Sequence, residues 1–186
     1  MSGGKSPARG GWSHRVLALG TLPVAATALT GTVAVYVALV AFGNITDFGT
    51  NRQFVQHVLA MDTTFRDEDL MWRAIESRTL QDAVYVAIIV WETVSALLLL
   101  AATWLWAQAV REGRNAYERP RRASTLGLVM LLLLFGLGFI GIGGEWFAMW
   151  QSSDWNGLDA ALRNVVVAGL VLVVIHLPAL RKPDQP

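Results

Sequence analysis

The 186-residue chain has no cysteine, only three histidines, and charged residues at 16% of the total. Without cysteine there are no disulfide staples, thiolate zinc sites, iron–sulfur clusters or cysteine nucleophiles. A soluble domain carries roughly 25% charged residues, so the charge content argues against an ordinary water-soluble fold. The formal net charge of +1 leaves no basic stripe of the kind that binds nucleic acid. What the chain has in quantity is apolar surface: 54% of its residues are hydrophobic and eight are tryptophan. Tryptophan favours membrane–water interfaces.

The apolar residues fall into four runs. Val16 to Gly43 carries no charge, Ala83 to Val110 is interrupted only by Glu92, and Ala123 to Gly144 and Asn164 to Leu180 are uncharged. About 20 apolar residues of helix cross the ~30 Å hydrocarbon core. These runs predict an all-α fold: a four-helix transmembrane up-down bundle with spans at 17–42, 82–107, 124–149 and 159–179. The first run is too long for the h-region of a signal peptide. The organisation is a basic tail at 1–15, a four-span domain at 16–180 and a polar tail at 181–186.

Lys5, Arg9 and Arg15 precede the first span, Arg111, Arg114, Arg119, Arg121 and Arg122 join the second to the third, and Arg181 and Lys182 follow the fourth. These are ten of the 15 basic residues, beside only Glu112, Glu118 and Asp184. The positive-inside rule then places both termini in the cytoplasm and the connections at 43–81 and 150–158 outside. Ten of the 14 acids lie outward or at the outer boundary. The small net charge therefore hides a basic inner face and an acidic outer one.

The first outward connection predicts a cap. Asn, Asp, Gly and Thr at 44–51 are turn formers. Phe54, Val55, Val58, Leu59 and Met61 recur at helical spacing, which predicts an amphipathic helix over 51–60. Asp67, Glu68 and Asp69 suit the start of a second short helix over 67–76, with Trp72 and Ile75 on its buried face. Trp104 and Trp106 read as an inner aromatic belt. Trp146, Trp150 and Trp155 read either as an outer belt or, with Trp72, as aromatics that meet a partner.

Glu92 is the sharpest single residue. Counted from Asp82 it lies about 15 Å along the helix, near the bilayer midplane. A carboxylate there costs at least ~2.5 kcal/mol and faces a bundle interior or a partner. No Lys or Arg stands at matching depth. Glu92 is therefore neutral, bonded to Ser, Thr or Trp groups, or paired with another subunit; its plainer role is interhelical glue. Glu145 follows Gly143-Gly144 and is a candidate to converge with Asp47, His57 and Asp62 in an outer polar cluster. His57 and Met61, one helical turn apart, make with Met149 a weak soft-metal candidate whose plainer reading is packing. Gly136, Gly138 and Gly141 fit Gly-x-Gly-x-x-Gly, but inside a span they are no dinucleotide site. With Gly144 they predict close helix approach, matched by the small face Ala26, Thr30, Ala34 and Ala38 of the first span. No motif implies a cofactor or a catalytic residue.

Longer runs carry a resemblance: Asn44-Ile45-Thr46-Asp47, Phe54-Val55-Gln56-His57, Met61-Asp62-Thr63-Thr64-Phe65, Trp72-Arg73-Ala74-Ile75, Trp91-Glu92, and Gly143 to Gln151 through Trp155-Asn156-Gly157. Over about residues 16–178 the chain resembles a bacterial family of predicted small integral membrane proteins, a domain of unknown function. The resemblance implies a four-span protein of the inner membrane and no particular activity. The leading expectation is a non-catalytic accessory or assembly subunit of a larger membrane complex. It would meet the lipid bilayer and other membrane subunits, but no nucleic acid. The alternatives are a redox, metal or quinone component using Glu92 and the outer cluster, and a small proton-coupled transporter.

Overall fold

The computed structural model describes residues 20–113 and 117–178. Both tails, the first residues of the first predicted span, Arg114 and the last residue of the fourth span lie outside the described residues. The described chain is helical and contains no strand. In order it forms α1 (Leu22–Thr46), α2 (Phe48–Ala60), a single 3-10 turn (Met71–Arg73), α3 (Arg78–Arg111), α4 (Glu118–Leu132), a π-helical continuation (Leu133–Trp146), a second 3-10 turn (Met149–Gln151) and α5 (Leu158–Ile175). Four helices are long and apolar enough to cross a membrane: α1, α3, α4 with its π continuation, and α5.

Consecutive spans are neighbours. α1 packs mainly on α3, α3 on α4, α4 and its continuation on α5, and α5 closes the ring on α1. The fold is thus the up-down bundle that short connections favour. Pro23 stands in the first turn of α1, where its missing N–H would have no helical partner in any case. The core threads the bundle through Ala26, Val33, Val37, Leu99, Leu128 and Ile175. Small residues set the spacing, as expected where lipid gives no hydrophobic drive between helices. A Cβ on Gly127 would stand 2.7 Å from Leu99 Cγ, so α3 and α4 touch only because it is glycine.

Several expectations change. The face Ala26, Thr30 and Ala34 is buried, but α1 meets α3 and α5 rather than the glycine-rich third span. Of the four glycines, Gly144 is the close contact, with Leu158 Cδ2 2.9 Å from a built Cβ, and Gly136 makes an ordinary one with Val165. Gly138 and Gly141 meet only atoms of their own helix. They sit in the π-helical stretch. Beside its start, the Trp91 indole donates to Met130 O at 2.9 Å.

Trp104 is 61% exposed and fits the belt. Trp106 does not: it is fully buried, donates to Ser124 Oγ at 2.9 Å and stacks on Tyr117. A fixed indole N–H partner allows that burial.

Gly127→Ala is expected to lower stability by about 1–3 kcal/mol through overpacking against Leu99. Gly169→Ala, whose Cβ meets nothing within 4 Å, is the control that leaves the thermal midpoint in detergent near the wild type.

Candidate functional site

The connection between α1 and α3 folds back over the bundle. α2 begins at Phe48, three residues earlier than its apolar spacing predicts, and ends at Met61 in the left-handed conformation. Val55, Leu59 and Met61 pack on Tyr85 and Ile89 of α3 and on Phe147. Polar groups fix the same face. Arg52 donates to both carboxylate oxygens of Asp82, at 2.7 and 2.5 Å, and Gln56 Nε2 donates to Asp82 Oδ1 at 2.9 Å. The hydrogen bond to Asp82 holds the Arg52 guanidinium above its ordinary value, with burial opposing it.

No second helix forms over 67–76. The Asp67 side chain accepts from Asp69 N and its carbonyl from Leu70 N and Met71 N, which starts one turn that goes no further than the 3-10 turn Met71–Arg73. The chain then extends so that Ile75 N donates to Leu59 O at 2.8 Å. Trp72 is 69% exposed rather than buried. It meets Trp146 edge to face, and Arg73 lies 5.0 Å from the Trp146 ring centre.

The other outer connection locks onto the first. Thr63 Oγ1 pairs with Ser152 Oγ at 2.8 Å, Phe65 N donates to Gln151 Oε1 at 2.9 Å, and Phe65 meets Trp150 edge to face. Trp155 stacks on His57 with ring centres 4.5 Å apart. Of the expected outer polar cluster, the structure brings together only His57 and Asp62, at 2.9 Å. Asp47 accepts from Thr50, one turn into α2. Glu145 lies in a separate groove with Arg73 and Trp146. Met61 and Met149 are buried packing residues, and the Met149 sulfur accepts from Gly157 N at 3.5 Å. Among the described residues no group of three His, Cys, Asp or Glu side chains is placed to hold a metal ion.

Glu92 lies beneath this cap. It is 2% exposed, and Asn44 Nδ2 donates to its Oε2 at 2.6 Å. Asn44 is itself positioned, because its carbonyl accepts from the hydroxyl of buried Tyr85 at 2.9 Å. Sequence reasoning missed this partner and read Asn44 as a turn former; a polar side chain in the last turn of an apolar helix was the available signal. Glu92 stands level with that last turn. Toward the cap from Glu92, Tyr85 and Ile89 of α3 pack with Val55 and Leu59 of α2.

The Glu92 side chain lines a crevice of about 490 Å³ between α1, α2 and α5, with Tyr36, Asn44, Asn51, Trp155 and Asn164. Glu92 Oε1 takes no hydrogen bond from the described residues. On the other side of Phe54, Val55, Ile88 and Phe139 lies an apolar pocket of about 190 Å³, open on one side and lined also by Val58, Leu134, Gly138 and Phe147. The Phe54 and Phe139 rings lie nearly parallel, 6.4 Å apart. A crevice that holds a carboxylate and an apolar chamber open on one side thus share one wall.

Residues 22–178 match the model of the family described as "Predicted small integral membrane protein (DUF2165)". Comparison with curated proteins and with solved structures gives no match.

Asn44→Ala is expected to destabilise the bundle by about 1–3 kcal/mol, since it strands a buried carboxylate. The same substitution made in a Glu92→Leu background is expected to cost less. Unfolding of the two singles and the double in detergent checks the coupling.

Proposed function

We propose the following reading for a chain that belongs to the DUF2165 family of predicted small integral membrane proteins: it is a non-enzymatic binding protein, and Glu92 is the polar anchor of its site. It sits in a bacterial inner membrane with both termini in the cytoplasm and the cap outside. The basic residues of the tails and of the second connection support that orientation. The observation that carries the function is a carboxylate held under a cap, satisfied on one oxygen by Asn44 and lining a crevice with the other unbonded. Intramembrane ionisable groups are functional by default.

A second reading keeps the accessory-subunit role. Phe65, Trp72 and Trp150 are each more than half exposed on the cap. Exposed aromatics of this kind serve protein interfaces as well as headgroup belts. In that case the crevice takes part of a neighbouring subunit, and co-purification at mild detergent recovers that subunit. The redox alternative has less support, since its outer His/carboxylate cluster is not assembled.

The absence of native cysteine makes the test clean. Asn164→Cys, on the crevice wall, is expected to react with a membrane-impermeant maleimide added from outside intact cells. Ala168→Cys, one turn further along α5 and 1% exposed, is expected to stay unlabelled. Equal protection of both positions, or labelling of Asn164→Cys only from the cytoplasmic side of inverted vesicles, would overturn the reading.

A further inference from the structure

We propose that the site takes an amphiphilic amine, a ligand with a protonated ammonium head and an apolar group. The proposal rests on the crevice reading above and names its ligand class.

The charge of the crevice sets the head group. Its ionisable lining includes two carboxyl residues, Glu92 on the floor and Asp154 at the rim, and no Lys, Arg or His. An anionic head would meet like charge there. An ammonium group supplies three donors and no acceptor. That inventory suits Glu92 Oε1 together with the side-chain oxygens of Asn51 and Asn164 on the walls. Tyr36 and Trp155 add aromatic faces, which attract cations.

The chamber beyond the wall sets the other end. Its volume of about 190 Å³, open on one side, admits an aromatic ring. Its lining is apolar, including Val58, Val84, Leu134, Ile142 and Phe147. Only side chains separate it from the crevice at Phe54 and Phe139. The Phe54 ring lies directly on residue 157, which is glycine: a Cβ there would stand 2.8 Å from Phe54 Cζ. The backbone of Gly157 has negative φ and does not itself require glycine, so the small residue serves the ring beside it. A ligand whose apolar group displaces Phe54 reaches the chamber while its head stays at Glu92.

Calorimetric titration of the purified full-length chain in a neutral detergent, with 4-phenylbutylammonium as the probe, tests this. Butylammonium keeps the head and lacks the ring, and 4-phenylbutyrate keeps the ring and reverses the charge. The expected order is 4-phenylbutylammonium tightest, with each comparison compound at least about tenfold weaker. Glu92→Gln is expected to weaken the aromatic amine about tenfold. Gly138→Val, which narrows the chamber far from the carboxylate, is expected to remove the advantage of the ring and leave butylammonium unchanged. Competition by a short-chain phosphatidylethanolamine would identify an aminophospholipid as the source of the ammonium, and its absence a soluble amine. Equal affinity for 4-phenylbutyrate, or no effect of Glu92→Gln, overturns the ligand class. The crevice itself still stands in that event if Asn164→Cys labels from outside, and falls separately if it does not.

Discussion

Asn44 and Glu92 join the first and second spans at the one place where the bundle buries a carboxylate. An unpaired carboxylate costs several kcal/mol in an apolar setting, so the packing of α1 on α3 has to bring a donor to it. Tyr85 reaches the Asn44 carbonyl from two turns nearer the cap on α3 and fixes the residue. The same Tyr85 is part of the surface on which α2 lies, and the Phe48 ring at the start of α2 rests against it. The deep polar pair and the outer cap are therefore one structure. Loosening either one changes the other.

A second constraint is backbone hydrogen bonding. Away from water, each backbone group of a span must find its partner inside the protein. The third span meets this demand while changing its bonding pattern, from α to π at Leu133. The Trp91 indole donates to the carbonyl of Met130 beside the junction. Gly138 and Gly143 line the apolar chamber where larger side chains would fill it. Trp91 and Glu92 are adjacent in sequence and serve the two sides of this arrangement, one bonded to the π junction and the other to Asn44.

The four spans were legible because hydrophobic length is a local property of sequence, and lipid enforces it. Their ends were less so. α3 starts at Arg78, five residues before its apolar run, where Arg52 and Gln56 bind Asp82 of its first turns to α2. Glu92 stood out in the sequence as a lone charge in an apolar run. Its partner did not, since Asn44 is distant along the chain and resembles any loop-edge asparagine. The segment at 67–76 misled in the opposite way. Its acids suit a helix start, but Asp67 bonds to its own backbone and Ile75 pairs with Leu59.

Sequence alone determined that this is a helical membrane protein with four spans, a basic and an acidic end, and one carboxylate in a costly place. Those properties follow from counts and runs along the chain. Tertiary structure decided which polar groups meet. It separated Asp47 and Glu145 from the His57–Asp62 pair, buried Trp106, and joined Asn44 to Glu92. Such pairings depend on the rotation and height of one helix against another. A periodic apolar pattern fixes which face turns inward but not the partner it finds there. The crevice and the chamber behind Phe54 arise from that same choice of neighbours.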